Sequence, residues 1–182
     1  MSTTNQWGNP ASLGLAAFGL TTVLLNLYNA GIVKTATLTM CYGFFFGGLA
    51  QVISGIIEFR RGSTFGGTAF TAYGLFWIGL ALMSAVTGWL KLTTIGSGEL
   101  AAWMFMWGIF TLYLTIVVLK TGTASLKVVF VTLTILFFLL CAAFATGSLT
   151  ILRVAGYEGI ICGLSAVYAS AEILIKECIP RK

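Results

Sequence analysis

Residues 126–146 read LKVVFVTLTILFFLLCAAFAT, with a single charge at Lys127 and neither Pro nor Gly. A helix rises 1.5 Å per residue, so a run of this length extends about 30 Å, the thickness of a bilayer's hydrocarbon core. In lipid such a helix satisfies its own backbone and needs no polar surface. Similar runs lie on both sides of it. The sequence predicts helices at 11–31, 38–58, 68–90, 100–119, 126–146 and 154–175. Short turns such as Gly62-Ser63-Thr64 and Gly96-Ser97-Gly98 join them. The expectation is one all-α membrane domain of six spans over residues 1–182. Composition agrees, with 58% hydrophobic and 8% charged residues; a soluble domain carries about 25% charged residues to wet its surface.

No Lys or Arg precedes the first run, and the first basic residue is Lys34. A secretory signal would have a basic leader, so residues 11–31 read as a retained helix. β-Barrel strands would alternate in short segments, and these runs are continuous. Asn9 and Pro10 suit a helix start. Trp7, Trp89, Trp103 and Tyr157 fall near predicted helix ends, where amphipathic rings favour the interface. Arg60, Arg61, Lys120, Lys127, Lys176, Arg181 and Lys182 fall on one face; Lys34, Lys91 and Arg153 fall on the other. The positive-inside rule then places both termini in the cytoplasm. The net charge of +5 reads as cationic anchors beside a bilayer, with no nucleic-acid partner expected. Cys41, Cys141, Cys162 and Cys178 form no C-x-x-C pair, so packing fits them better than a disulfide framework or zinc site.

Within the spans, polar residues are few enough to name. The second helix carries Gly43, Gly47, Gln51 and Gly55 at steps of four, a small-residue stripe that suits close helix packing or a gate. The first carries Phe18, Thr22, Asn26 and Asn29. Amides in hydrocarbon need partners, so Asn26 and Asn29 either join helices or line a hydrated path. Phe70, Tyr73 and Trp77 share a face of the third helix. Ser165, Tyr168 and Glu172 do so on the last. Glu172 is a possible proton site if buried; the alternative is an ion pair with Lys176 at i+4. Glu58 is expected to pair with Arg60 or Arg61 at the interface. Glu158 is expected near the start of the last helix, favoured there by the dipole.

The chain has no His, which removes His-ligated haem, His metal sites and a His general base. It has no phosphate loop of the G-x-x-x-x-G-K-[ST] type and no G-x-S-x-G elbow. No metal site or cofactor is expected, and movement of a small solute fits better than covalent catalysis.

One set of residues is more specific. Asn9-Pro10-Ala11-Ser12-Leu13-Gly14-Leu15 resembles the N-P-A-P-L-G-L signature of the acetate uptake transporter family, the succinate–acetate permeases. Matching segments follow: Thr21-Thr22 with Leu25-Asn26-Leu27, Gly47 to Gln51, Gly55 to Glu58, Thr64-Phe65-Gly66, Thr68 to Trp77, Trp107 to Thr111, and Gly163 to Glu172. The resemblance covers nearly the whole chain. It implies a six-helix protomer in a hexameric ring of the plasma membrane, each protomer with its own path. It implies uptake of acetate and related monocarboxylates, often also succinate, by proton coupling or channel-like permeation. It also implies a constriction at Phe18, Tyr73 and Leu133. Ser12 departs from the signature, where the family has a second Pro.

Acetate joins a carboxylate to a methyl, and its charge is costly to desolvate. Hydroxyls of Thr22, Thr71 and Tyr73 and amides of Asn9, Asn26, Asn29 and Gln51, with Ser165 and Tyr168, are the candidate polar contacts. The undissociated acid would cross more easily. A channel for a neutral solute such as urea or ammonia, and a membrane sensor or assembly subunit, are the competing readings.

Overall fold

The computed structural model describes residues 7–179. Its helices are α1 (Ala11–Asn29), α2 (Thr37–Arg60), α3 (Thr64–Trp89), α4 (Ser97–Thr121), α5 (Ala124–Thr146) and α6 (Leu149–Cys178). All six are long and apolar enough to cross a membrane. Several begin before the apolar runs do, because their first turns are polar and capped. Ser63 Oγ accepts from Gly66 N–H (3.2 Å) and starts α3 at Thr64. The Glu99 carboxylate accepts from Gly96 N–H (2.8 Å) at the start of α4. Ser148 Oγ accepts from Ile151 N–H (3.3 Å) and starts α6 at Leu149 rather than Val154. Hydropathy alone passes over such turns. Trp103 consequently sits six residues inside α4, stacked on Phe76 in an aromatic cluster.

The helices form a closed ring. Consecutive helices α1 to α3 and α4 to α6 pack side by side, aromatic rings bridge α3 to α4, and α6 returns against α1. Two crossings bring backbone onto backbone. A Cβ on Gly163 of α6 would stand 2.7 Å from the Gly19 carbonyl of α1, and one on Gly74 of α3 would stand 2.7 Å from the Gly48 carbonyl of α2. Only glycine allows that approach, and dispersion rather than hydrophobic exclusion drives such contacts in lipid. The Gly43, Gly47 and Gly55 stripe packs on Thr21, Trp77 and Thr71. Thr115 Oγ1 joins α4 to α5 through Thr134 Oγ1 (2.8 Å) and the Phe130 carbonyl (3.0 Å). Residues Gly43–Ala50 of α2 are π-helical, in the glycine-rich segment GFFFGGLA. Leu75, Met106, Ile116 and Ile161 point outward and are exposed, as a lipid-facing surface requires.

The helices alternate in direction. One face of the bundle therefore gathers the starts of α1, α3 and α5 with the ends of α2, α4 and α6. Arg60, Arg61, Lys120, Lys127 and Lys176 lie on that face. Arg181 and Lys182, which entered the charge count, lie outside the described residues.

Candidate functional site

A cavity of about 340 Å³ opens on this basic face. Its inner end follows from helix geometry. Phe18 lies seven residues past Ala11; Tyr73 lies nine past Thr64; Leu133 lies nine past Ala124. Gln51 lies nine before Arg60. At 1.5 Å per residue all four stand about 10–14 Å below the surface of the bundle. All four line the cavity and are buried, with relative exposures of 6%, 1%, 3% and 2% for Phe18, Gln51, Tyr73 and Leu133. The Phe18 and Tyr73 ring centroids are 5.9 Å apart. Tyr73 Oη is already bonded to Thr111 Oγ1 of α4 at 2.9 Å, so its phenol is oriented by that bond.

Beyond these residues aromatic side chains pack between the helices. Phe76 stacks on Trp103 at 4.8 Å and meets Trp107 edge-on at 5.0 Å. Phe137 packs on Phe76 at 5.4 Å and stacks on Trp107 at 6.2 Å. Offset and edge-to-face pairs of this kind pack densely and add to burial. The cavity thus opens on the basic face as a one-sided vestibule, with Phe18, Gln51, Tyr73 and Leu133 among its innermost lining residues.

Gln51 differs from every other polar residue along the cavity. Its Oε1 and Nε2 are both buried and have no hydrogen-bond partner. An unpaired buried amide forfeits about 1–3 kcal/mol, unless something that visits the cavity completes its bonds.

Apart from Glu172, the other candidates lie outside the cavity lining. Asn26 is 1% exposed; its Nδ2 donates to the Thr22 carbonyl (2.9 Å), its Oδ1 accepts from Asn29 Nδ2 (3.0 Å), and Gly159 of α6 packs on it. The first-helix stripe divides for a geometric reason. Each step of four turns about 40° past a full revolution, so a stripe that faces the cavity at Phe18 faces α6 by Asn26. Thr22 Oγ1 and Thr71 Oγ1 are buried without partners in helix contacts, outside the cavity lining. Ser165 Oγ donates to its own helix at the Cys162 carbonyl (2.6 Å). Tyr168 is 66% exposed on the outer surface. Asn9 Oδ1 accepts from Ala11 N–H (3.0 Å), and its Nδ2 donates to Glu177 (2.6 Å). The Ser12 hydroxyl turns back to the Asn9 carbonyl (3.2 Å).

Glu172 lines the vestibule mouth, ion-paired with Lys176 and accepting a bond from Ser125 Oγ (2.6 Å). Glu58 corrects its expectation. Arg61 donates instead to the Trp7 and Gly8 carbonyls. Glu58 makes no ion pair among the described residues; it is 7% exposed and lines the cavity. Sequence proximity to Arg60 and Arg61 pointed the wrong way, but its spacing of seven from Gln51 was a usable signal of a shared face. Glu158 also differs: with α6 starting at Leu149, it lies well inside the helix, and both its carboxylate oxygens are buried without a partner.

Comparison with known proteins places this architecture. The chain matches the GPR1/FUN34/yaaH family over residues 1–178. It is 43% identical over 168 residues to the succinate-acetate/proton symporter SatP of Escherichia coli K12, covering 91% of this chain and 88% of that protein. It is 35% identical over 173 residues to the ammonia transport outward protein 2 of Saccharomyces cerevisiae, covering 90% of this chain and 60% of that one. A solved structure described as the bacterial acetate channel SatP superposes with a TM-score of 0.90 at 41% identity, covering 94% of this chain and 95% of that chain. Six spans, a one-sided vestibule and these similarities along nearly the full length identify the chain as a member of the GPR1/FUN34/yaaH family.

Proposed function

We propose that this protein carries acetate and related small carboxylates, succinate among them, across the plasma membrane, and that it is a transporter rather than an enzyme. The carrying observation is a cavity lined at its inner end by Phe18, Tyr73 and Leu133 together with one unpartnered amide, Gln51; the constriction belongs to this reading. Apolar walls suit a methyl group, and a carboxyl group can complete the amide's hydrogen bonds. Similarity to a succinate-acetate/proton symporter and to an acetate channel supports the substrate class. Uptake is coupled to protons, the protein works as a homohexamer, and both termini face the cytoplasm, so the vestibule opens inward. Glu172 is the proton site in this reading. Its pairing with Lys176 also suits a purely structural role at the mouth.

The test is uptake of labelled acetate into proteoliposomes with and without an inward proton gradient. Accumulation above equilibrium only with the gradient supports coupled transport. Equilibration whatever the gradient makes the protein a channel. No uptake above empty liposomes rejects the carboxylate reading. Passage of a small neutral solute is the second reading, favoured by the relation to an ammonia transport outward protein; lack of competition by acetate would support it.

A further inference from the structure

At five of the six seams in the helix ring, neighbouring backbones approach closely over several residues; at the sixth, between α3 and α4, they scarcely do. Long side chains close that seam instead. Tyr73, Phe76, Leu80, Met83 and Thr87 follow one another at steps of three and four along one face of α3, and Leu100, Trp103 and Trp107 do so along α4. Phe76 stacks on Trp103, and Tyr73 meets Trp107 at 5.9 Å and Phe110 at 5.7 Å. At the face opposite the vestibule a second cavity, of about 280 Å³, parts the two helices. Met83 and Thr87 line it from α3, Leu100 from α4, and Thr93, Thr94 and Ile95 from the turn between them. Tyr73 lines the vestibule and Met83 the second cavity. They stand about 15 Å apart along α3, with Phe76 between them.

The α2–α3 hairpin is joined within itself more firmly than to α4. A Cβ on Gly74 of α3 would meet the Gly48 carbonyl and the Val52 amide of α2, and one on Gly55 of α2 would meet the Thr71 amide of α3. Contact that close makes the two helices one body. Toward α1 the hairpin is smooth, because Gly43 and Gly47 face Thr21 without side chains of their own. The hairpin also holds the only π turns among the described residues, Gly43–Ala50 in α2 and Ala85–Trp89 in α3. Both lie in the half away from the vestibule, and no residue of Ala85–Trp89 is buried. A π turn bonds residue i to i+5 where an α turn bonds i to i+4. Exchange between the two rotates one side of a helix against the other without breaking it. Helices bend at π turns and at pairs of small residues such as Gly47-Gly48.

We propose that the α3–α4 seam is the gate on the side opposite the vestibule, and that it opens when the far half of the α2–α3 hairpin swings away from α4 about its π turns. This rests on the transport reading and says which part of the bundle moves. In the closed arrangement Phe76, Trp103 and Trp107 separate the two cavities. The swing draws Phe76 off both tryptophans and joins the second cavity to the vestibule. It gives up contacts between rings rather than between backbones, so this seam yields before the other five. No ion pair crosses it among the described residues. The remaining helices are the frame. Gly163 of α6 stands on the Gly19 carbonyl of α1, and Thr115 of α4 bonds to Thr134 and to the Phe130 carbonyl of α5.

The test locks the seam. Met83→Cys with Leu100→Cys puts one thiol on each wall of the second cavity. Cys41, Cys141 and Cys178 are replaced by Ser in that protein, and the fully buried Cys162 is kept. A bis-thiosulfonate reagent bridges the pair in proteoliposomes, and dithiothreitol releases it. Uptake of labelled acetate is compared between the bridged and released states of the same protein. Bridging should lower it by about tenfold, as arresting a lid does, and release should restore it. Thr115→Cys with Thr134→Cys, whose hydroxyls are 2.8 Å apart across the α4–α5 seam, is the matching lock within the frame. Bridging there should leave uptake at its released level. Full uptake through a bridged α3–α4 seam overturns the proposal, as does an equal loss from the α4–α5 lock. If the variants fold poorly, hydrogen exchange in the wild-type protein decides. Amides of Gly43–Ala50 should exchange about tenfold faster than those of residues 19–26 of α1, which lie beside them; equal protection overturns the proposal. Absence of acetate uptake by the wild-type protein rejects the transport reading, and the gate with it.

Discussion

The halves of the bundle on either side of the level of Phe18, Tyr73 and Leu133 are built from the same six helices but filled differently. On the basic face the space between helices is left open and rimmed with Glu58, Ser63, Ser125 and Glu172. On the other side Phe76, Trp103, Trp107 and Phe137 fill it. The difference teaches where stability and selectivity reside. Packing holds the filled half together, whereas the open half gives up contacts in exchange for a place where a solute can stand.

Truncating an aromatic side chain in each half probes that difference most strongly. Phe137→Ala removes a ring that is 3% exposed and should cost about 3–5 kcal/mol, as large core truncations do. Phe65→Ala, at the half-buried vestibule wall, should cost less than half as much. Thermal unfolding in detergent measures both, and equal losses would abolish the distinction between the halves. A smaller effect is expected at the proposed constriction itself. Phe18→Ala or Tyr73→Ala should widen it and raise flux of larger carboxylates by about tenfold relative to acetate; unchanged size selectivity in both would move the constriction elsewhere. Smaller still is Asn26→Leu. Its hydrogen bonds both lie within α1, on the side where Gly159 of α6 packs, so stability should fall by about 1 kcal/mol while selectivity stays as in the wild type. A shift in selectivity would return Asn26 to the path. The least effect is expected from Glu172→Gln on stability, because its partner Lys176 is exposed; loss of proton coupling in that variant would still identify Glu172 as the proton site.

The spans were legible because bilayer thickness fixes helix length, and length with apolarity can be read directly from a sequence such as 126–146. The polar first turns were less legible, since Ser63, Glu99 and Ser148 extend helices by capping, which hydropathy averages away. Phe18, Tyr73 and Leu133 came from the family resemblance; their common depth became visible only when all six helices had starting points. Polar candidates on α1 and α6 were harder still. Thr22, Asn26 and Tyr168 obey helical spacing, yet spacing defines a stripe without saying which neighbour it faces. Glu58 was hidden by its neighbours, for two nearby arginines suggest an ion pair until Arg61 is seen to reach the Trp7 and Gly8 carbonyls instead.

The return of α6 onto α1 has a consequence for biosynthesis. Helices leave the ribosome in order, at about 5–20 residues per second. The backbone-on-backbone contact of Gly19 with Gly163 therefore joins the first helix made to the last. The intervening stretch takes on the order of ten seconds to synthesise. During that interval the α1 surface around Gly19 and Asn26 has no native cover, and any insertion factor or lipid that shields it must leave when α6 arrives.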